Sequence, residues 1–267
     1  MALTDTGGSF TQGNLFRHIS VMSFTSSIGL MAIFAVDLID ILFISMLGRE
    51  ELAAAAGYAS TIMFFASAIN IGLSIAAGAL VAQAEGRKDS KAAREAASAT
   101  AVISVAVGLL VPLLALPFIN DILGLVGAEG AMRDMAASYL WIILPTTFVS
   151  GLSMVAVAVL RAYGDARGAM YPALLGAGVN LVLDPILIFS LNMGLEGAAV
   201  ATVFARVATM GLALGIAILR YRAFAKPHFA CVVRDCGGAI GIAAPAMLAT
   251  VATPVGTAIV TREMAKY

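Results

Sequence analysis

The chain has 267 residues, of which 61% are hydrophobic and 12% are charged. Soluble domains are roughly 45–50% apolar and about 25% charged, so this composition excludes an ordinary soluble domain. The 16 basic and 16 acidic residues give no net charge. The excess of basic residues typical of nucleic-acid binding is therefore absent, and no nucleic-acid partner is expected. Two cysteines are too few for a disulfide scaffold.

Long apolar stretches predict seven membrane-spanning helices, which we call TM1 to TM7. A membrane helix needs about 20 apolar residues, whereas membrane strands would show an alternation of apolar and polar residues that the sequence lacks. The lipid bilayer is therefore an expected partner, and the fold class is an all-α polytopic membrane helix bundle. In chain order the predicted spans are 18–47, 52–83, 97–120, 136–160, 168–190, 197–219 and 238–260.

Basic residues concentrate in the connections that follow TM2, TM4 and TM6. These connections carry ten Lys and Arg residues against two in the connections that follow TM1, TM3 and TM5. Because basic connections stay on the cytoplasmic side, the pattern predicts a plasma-membrane (bacterial inner-membrane) protein with a cytoplasmic N-terminus. Residues 1–15 are polar and lack the basic region of a cleavable signal, so TM1 is expected to act as the targeting signal.

Four ionisable residues fall inside the predicted spans: Asp37 and Asp40 in TM1, Asp184 in TM5 and Arg206 in TM6. Charged groups are costly in hydrocarbon and usually face a cavity or a partner. Asp37 and Asp40 share roughly one helix face, so one carboxyl holds a proton or a cation lies beside them. For Asp37, a structural role as a hydrogen-bonded carboxylate is the alternative to a functional one. Arg206 either pairs with an acid or packs with its charge turned toward the interface.

TM5, TM6 and TM4 add further oxygen atoms. Asn180 and Asp184 are four residues apart on one face of TM5, and Pro185 loosens the backbone beside them. Thr202 in TM6 and Tyr139 in TM4 add hydroxyl groups. Together with the TM1 acids, these oxygens suit Na⁺ or a shared proton rather than a soft transition metal. Helix–helix contacts would also explain the amide and the threonine, and an interfacial position would explain the tyrosine.

The cysteines do not indicate a cofactor. Cys231 and Cys236 lie with His228 in the connection before TM7, but a metal site would need a closer cysteine pair and a fourth ligand. Reduced cysteines are expected there, and no cofactor is expected beyond a coupling ion.

Several stretches resemble the multidrug and toxic compound extrusion (MATE) transporters. LIDILFISMLGREELAAAAGYAS resembles the TM1–TM2 region of that family, and GVNLVLDPILIF followed by GLEGAAVATVFAR resembles its TM5–TM6 region. LRAYGDARGAMYPALLGAGVN is similar to the TM4–TM5 connection, and ALPFINDILGLVGA and SYLWIILPTTF add to the likeness. The likeness covers nearly all of residues 15–225. One departure is SVMSFTSSIGLM in TM1, where many members have a proline.

The resemblance implies an antiporter that exports organic, drug-like compounds by alternating access in exchange for Na⁺ or H⁺. Members have two six-helix lobes, so we expect an N-terminal segment (1–15), a six-helix lobe (16–225), and a connection with the first helix of an incomplete second lobe (226–267). A missing C-terminal lobe is then a further partner. The residues that match the family's cation site are Asp40, Asn180, Asp184, Thr202 and Tyr139; Asp37 and Arg206 are accessory candidates.

Three alternatives differ from this hypothesis. A flippase of lipid-linked precursors would need a basic cavity for pyrophosphate, and only Arg206 lies inside a predicted span. An intramembrane aspartyl protease would need a Gly-x-Gly-Asp context, whereas Asp184 lies in VLDP, so an enzyme is not expected. A chain of one lobe plus one helix could also be a half-transporter without activity of its own.

Overall fold

The computed structural model describes residues 15–48, 50–225 and 229–264. Within these ranges every regular element is helical, which confirms the predicted all-α class. In chain order the helices are α1 (Leu15–Met46), α2 (Glu50–Gly86), α3 (Ser90–Ala115), α4 (Ile119–Val126), α5 (Gly130–Ile143), α6 (Thr147–Ala162), α7 (Ala166–Pro185), α8 (Gly194–Leu219) and α9 (Phe229–Met264).

Six helical stretches are long and apolar enough to cross a membrane, and they correspond to the predicted TM1 to TM6. The predicted TM7 falls within α9, where the apolar stretch of described residues, Gly237–Ala252, is shorter than a span needs; the seventh span stays a prediction. The six stretches are Ile19–Met46, Glu51–Gly86, Ser90–Val126, Gly130–Ala162, Ala166–Ser190 and Gly194–Leu219.

Prolines interrupt three of these stretches. Pro117 lies in a 3₁₀ turn between α3 and α4, and Pro145 lies in a similar turn between α5 and α6. Pro185 ends α7, and a single π-helical turn, Ile186–Ser190, follows it. A proline lacks the N–H that continues the helical ladder, so the backbone changes its hydrogen-bond pattern at each of these points.

The packing divides the bundle into two groups of helices. α2 packs against α3, α5, α6 and α9, while α7 packs against α1 and α8, and α6 joins the two groups through α8. α1 is the least enclosed helix: it contacts mainly α7, and large side chains such as Phe24, Met31 and Phe34 are exposed. In a membrane these exposed apolar side chains meet lipid, so α1 is held chiefly by its contact with α7.

Hydrogen bonds to Asp165 join two connections, α6–α7 and α8–α9, at one end of the bundle. We call this end, which carries the α2–α3, α6–α7 and α8–α9 connections, the basic end. Asp165 caps α7 by accepting from the Gly168 N–H at 2.8 Å, and it also accepts from Arg220 at 3.2 Å and from the Tyr221 hydroxyl at 2.9 Å. Burial and the bond to Asp165 raise the pKa of Tyr221 to about 12, so this phenol remains a donor at neutral pH.

Glycine allows the close approach of α3 and α6. A Cβ added at Gly108 would clash with the backbone of Phe148, whereas one added at Gly211 in α8 would meet nothing within 4 Å. We therefore expect Gly108→Ala to lower the apparent melting temperature in detergent, because overpacking against backbone costs typically 1–3 kcal/mol. Gly211→Ala is the matched control and should leave that temperature unchanged or slightly higher. Equal melting temperatures for the two variants would contradict this packing.

Candidate functional site

A hydrogen bond between α1 and α7 lies at the centre of the predicted site. The Asn180 amide donates to Oδ2 of Asp40 at 3.1 Å, across 140 residues of sequence. Asp184, one turn further along α7, is fully buried, and its carboxyl is close enough to that of Asp40 for the two groups to interact electrostatically. The four-residue spacing places Asn180 and Asp184 on the face of α7 that meets α1, as the sequence predicts.

The buried oxygens of this cluster are short of donors. Neither carboxylate oxygen of Asp184, nor Oδ1 of Asn180, accepts a hydrogen bond from the residues that the structure describes. Buried polar atoms normally have a partner, and leaving a carboxylate without one is costly. A monovalent cation or a proton would satisfy these oxygens, so the donor set fits the predicted Na⁺ or H⁺.

A transition metal fits less well. Among the described residues, no group of three His, Cys, Asp or Glu side chains gathers as a metal site would require. Carboxylate, amide and hydroxyl oxygens are ligands for hard cations. Cys231, Cys236 and His228, together with the side chain of Asp37, lie outside the side chains that the structure describes.

Two hydroxyl groups from other helices lie at the same cluster. The hydroxyl of Tyr139, on α5, lies within hydrogen-bonding reach of Thr202 on α8, and its electrostatic neighbours include Asp40 and Asp184. Thr202 donates to its own helix at the Ala198 carbonyl, at 2.9 Å, which leaves its oxygen available as an acceptor. The structure thus brings the five predicted site residues together from four helices. That they bind a cation stays a prediction.

Arg206 behaves differently from both alternatives that the sequence suggested. It forms no ion pair with the acids that the structure describes. Its Nη1 donates to the Thr146 hydroxyl at 2.8 Å and to the Ile143 carbonyl at 3.3 Å. The Ile143 carbonyl also accepts from the Thr146 hydroxyl at 2.7 Å. It does not accept the Thr147 N–H, which the 3₁₀ turn at Pro145 directs to Leu144 instead. Arg206 therefore braces the helix break between α5 and α6.

A cavity of about 560 Å³ extends from this region toward the basic end. Asn180, Thr202 and Arg206 line its inner part, and Arg161 and Ala166 line the part at the basic end. Its walls come from α1, α2, α6, α7 and α8. Volumes between about 300 and 1,000 Å³ are typical of small-molecule sites.

Sequence reasoning missed Arg161 as a cavity residue. The predicted TM4 ended at residue 160, which placed Arg161 in a connection, but α6 continues to Ala162 and carries Arg161 in its last turn. A basic residue in the last turn of a helix interacts favourably with the helix dipole, so a span extended by two residues was the available signal. The direction of its side chain depends on packing and was not readable from sequence.

Known proteins with similar sequences are transport proteins. The chain is 28% identical over 205 residues to "Multidrug export protein MepA" of Staphylococcus aureus (strain MRSA252), a match that covers 74% of this chain and 44% of that protein. It is 28% identical over 255 residues to a "FAD transporter" of Shewanella oneidensis, which covers 91% of this chain and 55% of that protein. The chain thus spans about half the length of these relatives.

The fold has close counterparts among solved structures. One is an outward-facing conformation of a multidrug resistance MATE family transporter of the MOP superfamily, with a TM-score of 0.84 and 25% identity. That match covers 94% of this chain and 56% of the solved chain. Residues 25–186, more than half of the sequence, match the MatE family model. The chain therefore belongs to the MatE family of transporters.

Proposed function

We propose that this chain is the cation-binding lobe of an exporter that moves organic compounds across the membrane in exchange for Na⁺ or H⁺. The observation that carries the proposal is the contact of Asp40, Asn180 and Asp184 between α1 and α7, with both oxygens of a fully buried carboxyl lacking hydrogen-bond donors among the described residues. Membership of a transporter family supports the export function.

The mechanism follows from the position of the acids. Two carboxyl groups this close repel one another when both are ionised, and a bound proton or Na⁺ removes that repulsion. Cation binding therefore strengthens the contact of α1 with α7, and cation release weakens it. Since α1 packs mainly on α7, the occupancy of one small site controls how the whole helix is held.

The same two helices line the cavity, which links the cation to the substrate. Thr25, Gly29 and Ile33 of α1 face it, as do Ala173 and Ala177 of α7. A shift of α1 against α7 changes the shape of this space. Exchange requires that the cation favour the conformation that holds substrate less tightly, because a ligand shifts an equilibrium only by its differential affinity for the two states.

The proposed orientation places the basic end in the cytoplasm. The excess of Lys and Arg at that end favours this topology, and with it a plasma-membrane (bacterial inner-membrane) location and a cytoplasmic N-terminus. The cavity then opens toward the cytoplasmic side of the bundle, and the acids lie nearer the outer side. The relatives are named for the transport of different organic compounds, so the substrate of this chain must be inferred from its own cavity.

Gradient-driven transport in proteoliposomes tests the proposal. We use the purified chain and two fluorescent probes of opposite charge, ethidium and carboxyfluorescein, under an imposed Na⁺ or proton gradient. We expect at least one probe to move faster with a gradient. Asp184→Asn and Asp40→Asn should each reduce that rate roughly tenfold or more, because each removes a carboxylate that would bind the cation. A tenfold loss of cation affinity corresponds to about 1.4 kcal/mol.

Asp134→Asn is the matched control, because Asp134 is exposed on α5 and carries the same change of charge. It should transport as the unmodified chain does. Gradient-driven transport that survives both site substitutions would contradict the proposed coupling. If the unmodified chain moves neither probe under either gradient, the proposal fails and the half-transporter alternative is favoured. Movement of a lipid-linked precursor alone would favour the flippase.

A further inference from the structure

We infer that the cavity binds an organic anion: an apolar body that carries one carboxylate, sulfonate or phosphate group, held at Arg206. This inference names the substrate class of the exporter proposed above and in that sense rests on it. Binding, however, is a property of the cavity itself and is tested without transport.

The charge of the cavity lining is the first observation. Two arginines, Arg161 and Arg206, line the cavity, and no aspartate or glutamate is among the described residues that do so. The acids of the cation site, Asp40 and Asp184, lie beside the cavity rather than in its wall. A cleft with low-dielectric walls and charges of one sign concentrates ligands of the opposite sign. The described lining of this cavity therefore carries positive charge only, although the chain as a whole has no net charge.

Arg206 has hydrogen-bonding capacity to spare. A guanidinium carries five N–H donors, and the two bonds of Arg206, to Thr146 and Ile143, both start from Nη1. Both acceptors are neutral, and no described carboxylate lies within ion-pair distance. The donors on Nε and Nη2 form no bond to the residues that the structure describes. A planar anion is the partner that this fork of donors fits best, because two parallel N–H groups match two oxygens.

Further donors lie on the same face of α6. Ser150 and Ser153 follow Thr146 by one and two helical turns, so all three share a face, and both serines line the cavity. Their hydroxyl groups donate no hydrogen bond to the described residues, unlike those of Thr25 and Thr209, which donate to their own helices. An anion held by Arg206 would find these hydroxyl donors beside it.

The rest of the cavity suits an apolar body. Ile33, Ile71, Met154, Val157 and Met170 line the part between the two arginines. Arg161 follows Thr147 by 14 residues in α6, which places it about 21 Å further along the helix, at the basic end. It attracts an anion to the mouth, and Arg206 holds the anion deeper in. An organic cation of the same size would meet two positive charges and no acid among the described residues of this wall.

A purely structural role for Arg206 predicts different behaviour. If Arg206 only braces the break between α5 and α6, its removal lowers stability without changing which charge the cavity prefers. If it also holds the ligand, its removal abolishes the preference. The deciding measurement is therefore the ratio of affinities for two ligands of the same shape and opposite charge.

Calorimetric titration of the purified chain in a non-ionic detergent gives this ratio. The probes are 2-naphthoate and 2-naphthylmethylammonium, which share an aromatic body and differ in the sign of their charge. We expect the unmodified chain to bind the carboxylate at least tenfold more tightly than the ammonium. Arg206→Gln should lose most of this ratio, and Arg133→Gln, which changes an exposed arginine on α5, should keep it.

Equal affinity for both probes in the unmodified chain would overturn the inference, as would an Arg206→Gln variant that retains the preference. If Arg206→Gln does not elute as a folded species, Arg206→Lys replaces it. The lysine keeps the positive charge, so this variant should still prefer the carboxylate probe. Loss of that preference in a folded variant would contradict anion binding at this position. Gradient-dependent transport that requires Asp184, found together with equal probe affinities, would overturn the anion inference alone and leave the cation coupling standing.

Discussion

The Asn180–Asp40 hydrogen bond, beside buried Asp184, joins α1 to the one helix that it mainly contacts, α7. α1 has few other neighbours, so its position in the bundle is decided mainly along α7. A carboxyl pair in a membrane interior is stable only when its charge is compensated. Under the proposed function, the helix that lines one side of the cavity is held by an interaction whose strength varies with the ion or proton present.

The bundle separates its buried charges. The acids occupy the α1–α7 contact, whereas Arg206 is turned away from them toward a helix break and Arg161 lies at the basic end. This separation allows two ligands of opposite charge in one lobe, a small cation at the acids and an organic anion in the cavity. Under the proposed function it also gives a physical reason for coupling, because both ligands would contact α1 and α7 while neither would occupy the other's place.

Much of this arrangement was predictable from sequence, for identifiable reasons. Hydrophobic length alone gave the first six spans, and the spacing of Asn180 and Asp184 with the family resemblance gave the site residues. The contact of Asp40 with Asn180 spans 140 residues and needed the fold. The roles of Arg206 and Arg161 were not readable from sequence. The bonds of Arg206 depend on the helix break at Pro145, and the place of Arg161 in the cavity wall depends on how its side chain packs.

Chemical labelling of Asp184 tests whether this carboxyl binds the coupling ion. Dicyclohexylcarbodiimide modifies protonated carboxyl groups in apolar surroundings, and mass spectrometry locates the product. If Asp184 binds the coupling ion, its carboxyl is protonated in the absence of Na⁺ and is labelled near pH 7, where an ordinary carboxyl with a pKa of about 4 is ionised. Labelling then falls as pH rises, and it also falls with added Na⁺ if Na⁺ is the coupling ion. An Asp184 that resists labelling, or whose labelling responds to neither Na⁺ nor pH, would contradict the account.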